Sequence, residues 1–316
     1  MIYGAGGVGS VIGGRLFEQG HDVVLIARGA HLDVLRDRGL GLRFPESTVV
    51  LPVPVAGSPA EAGAGEGDDD VVVLAVKSQD TVAAVSSLPA SVPVVCAQNG
   101  VENERVCARR FAEVYAMCVM LPALFLEPGV VENHAAPRSG ILDVGRYPSG
   151  VDERSSRIAA DLDAACFSSV ADPAVMRQKY AKLLMNLGNA LEAACGSDAR
   201  GGELWERARA EAVACFEAAG IDFASDDEDA ARRGEHFRLR PVGGQRRPGG
   251  SSWQSLARGT GSIETDYLNG EIVLLGRLWG VPTPVNLLLQ QTANRMARQG
   301  LRPGSVPVEE LLSALG

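Results

Sequence analysis

Glycines 4, 6 and 9 punctuate the first 28 residues at a spacing that suits a strand, a tight turn and a helix. Met1-Ile2-Tyr3 is a short apolar strand, Gly4-Ala5-Gly6-Gly7-Val8-Gly9 reads G-x-G-x-x-G, and Ser10 to Gln19 carries apolar residues at helical spacing. The chain then runs through Gly20-His21 into the apolar strand Asp22 to Ala27. Gly4 permits the turn out of the strand, Gly6 lets a ligand approach the backbone, and Gly9 lets the helix pack closely on the strand. Free N–H groups and the helix dipole favour an anion at the start of that helix. Glycine is abundant, 37 of 316 residues, so a plain glycine-rich loop is the alternative. The strand before the motif and the helix after it favour the pyrophosphate of a dinucleotide, held by Gly4, Ala5, Gly6, Gly7, Val8 and Gly9.

The end of the second strand distinguishes the nicotinamide cofactors. An acidic residue there binds a ribose 2′-OH, whereas an arginine accommodates a 2′-phosphate. This chain has Arg28 and no carboxylate between Val23 and Ala30, which points to NADPH/NADP+; a solvated surface arginine is the alternative. Strand and helix go on alternating, with apolar strands at Asp70 to Val76 and Val92 to Cys96 and a crossover helix from Gln79 to Leu88. These strands end in Lys77-Ser78-Gln79 and Gln98-Asn99-Gly100, at the carboxyl edge where open α/β sheets bind ligands. Lys77 and Asn99 are therefore candidate cofactor residues, with ordinary loop polarity as the alternative. Val114 to Leu126, Val130 to His134 and Gly140 to Val144 read as further strands around Pro128-Gly129.

From Val151 the pattern turns helical, over Asp152 to Cys166, Pro173 to Ala194, Leu204 to Ala219, Ile263 to Trp279 and Pro284 to Gln299. The expected fold is α/β, a Rossmann-type dinucleotide-binding domain over residues 1–178 followed by an all-α domain over 179–316. The charged, Gly- and Pro-rich interval Ser225 to Ser252 reads as a short helix and a loop within the second domain. On an ideal helix Asn186 lies about 40° from Lys182 and Asn189 about 20° to the other side, a polar stripe amid Leu183, Leu184, Leu187 and Leu191. A lysine on a mostly apolar helix needs a partner or a function: it can bind a carboxylate or give a proton to an alkoxide forming from a ketone. A snorkelling surface lysine is the alternative.

A net charge of −9 argues against nucleic acid or an anionic membrane as a general partner. The six cysteines are scattered, with no metal spacing, and suit a reduced cytoplasmic protein with no metal site. No signal peptide is expected ahead of the first strand, and no apolar run is long enough to span a membrane.

The glycine motif with Arg28, Val76-Lys77-Ser78-Gln79-Asp80-Thr81, Gln98-Asn99-Gly100-Val101, Lys182-Leu183-Leu184-Met185-Asn186 and Glu264-Thr265-Asp266-Tyr267-Leu268-Asn269-Gly270 together resemble the 2-dehydropantoate 2-reductase (ketopantoate reductase) family in order and spacing. The resemblance covers nearly the whole chain. It implies NADPH-dependent reduction of 2-dehydropantoate, a small 2-keto acid, to (R)-pantoate in the pantothenate route to coenzyme A. By that resemblance Lys182 is the catalytic proton donor, Asn186 and Ser252 bind substrate, Asn99 touches cofactor and substrate, and Glu264 lies on the cofactor side. A homodimer is an admissible assembly. The family's second asparagine often lies four residues after the first, where this chain has Ala190; Asn189, one residue early, is the candidate for a shifted substrate contact. Two other readings stay open, a related two-domain reductase acting on another 2-keto or 3-hydroxy acid, and a dinucleotide-binding sensor without turnover.

Overall fold

The computed structural model describes residues 1–67 and 69–315. The chain divides into two compact units, the first comprising Met1–Gln98, Glu102–Gln178 and Asp226–Arg247, the second Asn99–Val101, Lys179–Ser225 and Pro248–Gly316.

The first unit is built on strands β1 (Ile2–Tyr3), β2 (Leu25–Ile26), β3 (Leu40–Arg43), β4 (Thr48–Leu51), β5 (Val55–Ala56), β6 (Val72–Leu74), β7 (Val94–Cys96), β8 (Val114–Met120), β9 (Ala123–Glu127), β10 (Val130–Asn133), β11 (Ala135–Pro137), β12 (Ile141–Arg146) and β13 (Phe237–Leu239). Among the described residues, a seven-stranded sheet runs β12-β8-β7-β6-β1-β2-β5, parallel throughout except at β12. Its central strands are buried along their length, as their unbroken Val and Leu runs require of a parallel sheet covered on both faces. Helices α1 (Gly7–Glu18), α2 (Gly29–Arg38), α3 (Thr81–Ser86), α4 (Asn103–Ala108) and α5 (Glu153–Ala164) belong to this unit. Asp152 starts α5 by accepting the Ser155 amide at 2.8 Å in a capping box.

The order places β1 between β2 and β6, so connections leave β1 in opposite directions and open a crevice at its carboxyl end. Gly4 stands there. A second sheet, β4-β3-β10-β9, was not read in the sequence at β3 and β4. The expected strand Val114 to Leu126 is two strands, separated at Leu121-Pro122, because proline lacks the N–H a continuous ladder needs.

α6 (Val175–Asn186) and α7 (Gly188–Cys195) replace the single expected helix Pro173 to Ala194. The interruption at Leu187 has an identifiable partner: Asn269 Nδ2 donates to the Leu187 carbonyl at 3.2 Å. Gly188 follows because a Cβ there would lie 2.9 Å from the Trp205 ring. The other helices are α8 (Glu203–Ala219), α9 (Asp226–Arg233), α10 (Ser251–Ala257), α11 (Asn269–Trp279), α12 (Pro284–Gln299) and α13 (Val308–Ser313). In the second unit Ala190, Leu191, Leu204, Leu289 and Met296 form the centre of the core. Left-handed glycines 220, 280 and 300 end α8, α11 and α12.

Two segments group across the expected division at 178/179, Asn99–Val101 with the helical unit and Asp226–Arg247 with the sheet unit. In the latter segment β13 pairs with β11, and Arg232 grips the buried Asp143 through two bonds of 2.7 and 2.6 Å. A charge cluster that looks like a solvated loop in sequence is thus partly consumed by a buried carboxylate.

Candidate functional site

The glycine turn of the first unit has the geometry its spacing implies. Gly4 takes φ +108°, and a Cβ on it would lie 2.7 Å from the Val76 amide nitrogen. A Cβ on Gly9 would overlap the Gly4 carbonyl oxygen and press on Ile2 and Ala75. At Gly6, by contrast, a Cβ would meet nothing within 4 Å. The close-packed glycines shape the loop and the open one faces free space, at the helix end whose first N–H groups lack intrahelical acceptors.

His31, which the sequence gave no reason to single out, braces this loop. The Gly129 amide donates to its Nδ1 at 2.9 Å, so Nε2 carries the hydrogen and donates to the Ala5 carbonyl at 2.7 Å. Phe125 packs on the ring at 4.7 Å between centroids. Its partners lie 26 and 98 positions away, and no local pattern announces them. Arg28 is exposed in extended conformation just before α2 and forms no ion pair among the described residues. Lys77 is half-buried and opens the 3₁₀ turn after β6.

In the second unit, Lys182 Nζ donates to Asn99 Oδ1 at 2.7 Å. Lys182 sits on α6 about one turn before Asn186. The Asn99 loop also meets the turn that bears Glu264: Gly100 takes φ +78°, and a Cβ there would stand 2.9 Å from the Tyr267 carbonyl oxygen. Glu264 itself is buried. Asn269, after that turn, accepts from Thr265 at 3.3 Å and donates to Leu187 and to Asn286, which in turn donates to Glu211. Three segments distant in sequence, at 99–101, 182–187 and 264–269, are therefore held together by hydrogen bonds and close backbone approach.

Two donors here have no protein acceptor. Asn186 Nδ2 and the Ser252 hydroxyl are buried and lack a hydrogen-bond partner among the described residues. Leaving such a group unpaired costs about 1–3 kcal/mol, so each of these donors is open to an acceptor the chain does not supply. Asn189 is buried on α7 with its Oδ1 taken by Arg200 at 3.3 Å. Ala190 packs in the helical core, so the side chain at this position is no substrate ligand. Cys195, at the end of α7, has its thiol pushed up to about 11 by burial and by the Glu309 and Glu310 carboxylates, and stays protonated near neutrality. Among the described residues no cluster of His, Cys, Asp or Glu could hold a metal ion, and no helix is long and apolar enough to cross a membrane.

The model of the family described as ketopantoate reductase PanE/ApbA matches residues 1–149, and that of its C-terminal part matches residues 174–297. A 2-dehydropantoate 2-reductase of Archaeoglobus fulgidus is 30% identical over 302 residues, covering 92% of this chain and 94% of that protein. The chain belongs to the ketopantoate reductase family. The crystal structure of a family member from Ralstonia eutropha JMP134 superposes with a TM-score of 0.77 at 30% identity, covering 95% of this chain and 99% of the other. D-mandelate dehydrogenase with NADH and anilino(oxo)acetate shares the fold, with a TM-score of 0.77 at 21% identity over 95% of this chain and 99% of its own. Membership makes the protein an oxidoreductase and bears out the reading of a Rossmann-type sheet followed by a helical region.

Proposed function

We propose that the protein reduces 2-dehydropantoate to (R)-pantoate with NADPH, in the supply of pantothenate for coenzyme A. The observation that carries this reading is the bond of Lys182 Nζ to Asn99 Oδ1, on a helix that also bears the buried, unpartnered Asn186 Nδ2. The open face of Gly6, the α1 N-terminus and the exposed Arg28 are suited to a dinucleotide with a 2′-phosphate. A reduced nicotinamide supplies hydride to a keto carbon when bound.

The chain's own residues then have the following work. Lys182 Nζ gives its proton to the oxygen at C2 as that oxygen gains charge, which removes the cost of an alkoxide in a poorly solvated site. Asn99 Oδ1 holds the ammonium in place, because an amide oxygen accepts from it. Asn186 Nδ2 and Ser252 Oγ donate to the carboxylate and hydroxyl oxygens of the acid, and buried Glu264 orients the cofactor side. Free cysteines throughout the described residues suit a cytoplasmic enzyme.

A second reading, reduction of a different 2-keto acid, draws support from one feature. Ala190 lies in the core and Asn189 is engaged by Arg200, so this side of the site has its own arrangement. NADPH oxidation measured with ketopantoate and with unbranched 2-keto acids separates the two. A kcat/KM for ketopantoate at least tenfold above the others is expected; equal or lower values transfer the activity to another acid.

A further inference from the structure

Arg200 lies outside every motif, yet its guanidinium joins three parts of the site. Nη2 donates to Asn189 Oδ1 at 3.3 Å and to the Met185 carbonyl at 3.1 Å, and Nη1 approaches Glu192 Oε2 at 3.5 Å. Met185 is in the last turn of α6, where carbonyls lose helical partners as the helix is interrupted. The same Glu192 oxygen accepts the Gly250 amide at 3.1 Å, at the start of the helix that carries Ser252. A Cβ on Gly250 would stand 2.8 Å from Glu192 Oε2 and 3.6 Å from Asn189 Oδ1, so the start of α10 rests directly on both side chains.

An arginine has hydrogen-bond donors and no acceptor, so the amide atom of Asn189 that faces it must be the oxygen. That fixes the flip of the amide. Nδ2 is then turned away from Arg200 as a donor. Asn189 lies seven residues beyond Lys182, on α7 just past the interruption at Leu187.

We infer that Arg200, anchored by Glu192, is a positioning residue for substrate choice: it orients the Asn189 amide so that Nδ2 donates to the hydroxyl oxygen of the keto acid. The inference rests on the reductase reading above. It explains why a single asparagine placed one residue early serves where Ala190 points into the core. Without Arg200 the amide is free to rotate, and its oxygen and nitrogen alternate at the hydroxyl.

The test compares ketopantoate with 2-oxoisovalerate, which lacks the hydroxyl, in the unmutated protein, Arg200→Ala, Arg200→Lys, Asn189→Ala and the double variant. Expected is an approximately tenfold fall in the kcat/KM ratio of the two acids for Arg200→Ala, carried by KM for ketopantoate, with partial rescue by lysine. Asn189→Ala should match it, and the double variant should be no worse than either single one. Equal losses for both acids, a loss carried by kcat, or additive effects in the double variant overturn the inference. Turnover of neither acid by the unmutated protein refutes the reductase reading instead. Calorimetric binding of pantoate and 2-hydroxyisovalerate then reads the inference separately: Arg200→Ala must weaken pantoate alone by about tenfold, and an unchanged ratio overturns it.

Discussion

Lys182 on α6 and Asn99 in the loop after β7 lie 83 positions apart and are joined by a hydrogen bond of 2.7 Å. The bond turns a helical lysine into a directed one, because its ammonium is half-buried and held by a neutral acceptor that leaves the charge intact. Lys182→Ala should lower turnover by roughly 10²- to 10⁴-fold, the range for losing a general acid. Dinucleotide affinity should stay within about threefold. Asn99→Ala should act in the same direction and more weakly. A Lys182→Ala protein retaining half its activity in steady-state assays would place the proton donor elsewhere.

The glycine loop separates ligand approach from packing. Gly6→Ala meets open space and should leave the melting temperature within about a degree while weakening dinucleotide binding at least tenfold, since the methyl group occupies the ligand's path. Gly9→Ala drives a methyl into the Gly4 carbonyl and should cost about 1–3 kcal/mol of stability, as overpacking does. Thermal melts and fluorescence titration of both variants check this. The opposite pattern would mean that Gly6 is the structural residue.

Much of this was legible because its causes are local. Gly4, Gly6 and Gly9 act on their own turn, the β6 and β7 valines are read in place, and Lys182 and Asn186 lie on one helix. What stayed illegible depends on distant partners. The interruption at Leu187 coincides with a carbonyl held by Asn269, 82 residues on. Asp226–Arg247 leaves the helical unit because Arg232 finds Asp143, 89 residues back. His31 and Arg200 have no motif at all, and only the fold shows what they brace.

Arg28 follows β2 with no carboxylate beside it, exposed and without an ion pair among the described residues. The unmutated protein should bind NADPH about ten- to a hundredfold more tightly than NADH, as a charge-assisted bond worth roughly 1.5–3 kcal/mol dictates. Arg28→Ala should remove most of that preference and leave NADH affinity unchanged. Equal affinity for both cofactors before mutation would contradict the assignment.

Asp152 links stability to pH. Burial alone would raise its pKa, but the Ser155 amide and hydroxyl, the Tyr115 hydroxyl and Arg146 outweigh burial and lower it below the ordinary 3.8. A depressed carboxylate contributes stability that is fully present above its unfolded value and is lost as pH falls through the folded one. Asp152→Ala should therefore cost about 0.5–2 kcal/mol at pH 7, the range for an N-cap. The gap between variant and unmutated protein should shrink below about pH 4 as the carboxylate protonates. Urea melts at pH 7 and pH 3 measure this; a gap that persists at pH 3 would assign the effect to packing.

Ala190 supplies the sharpest check on the substrate side. The family's frequent asparagine four residues after the first would fall here, and restoring it is the obvious substitution aimed at stronger substrate binding. The structure argues otherwise, because Ala190 packs among Leu191, Leu204 and Leu289 in the helical core. An asparagine there is larger and brings an amide with no partner into an apolar setting, which costs about 1–3 kcal/mol from each cause. Ala190→Asn should therefore lower the melting temperature by several degrees, with KM for ketopantoate unchanged or raised. On the inference drawn above, Asn189 oriented by Arg200 is the donor that the substitution would aim to add. A fall in KM with unchanged stability would mean that residue 190 reaches the substrate after all, and that the helix register seen here shifts when the acid binds.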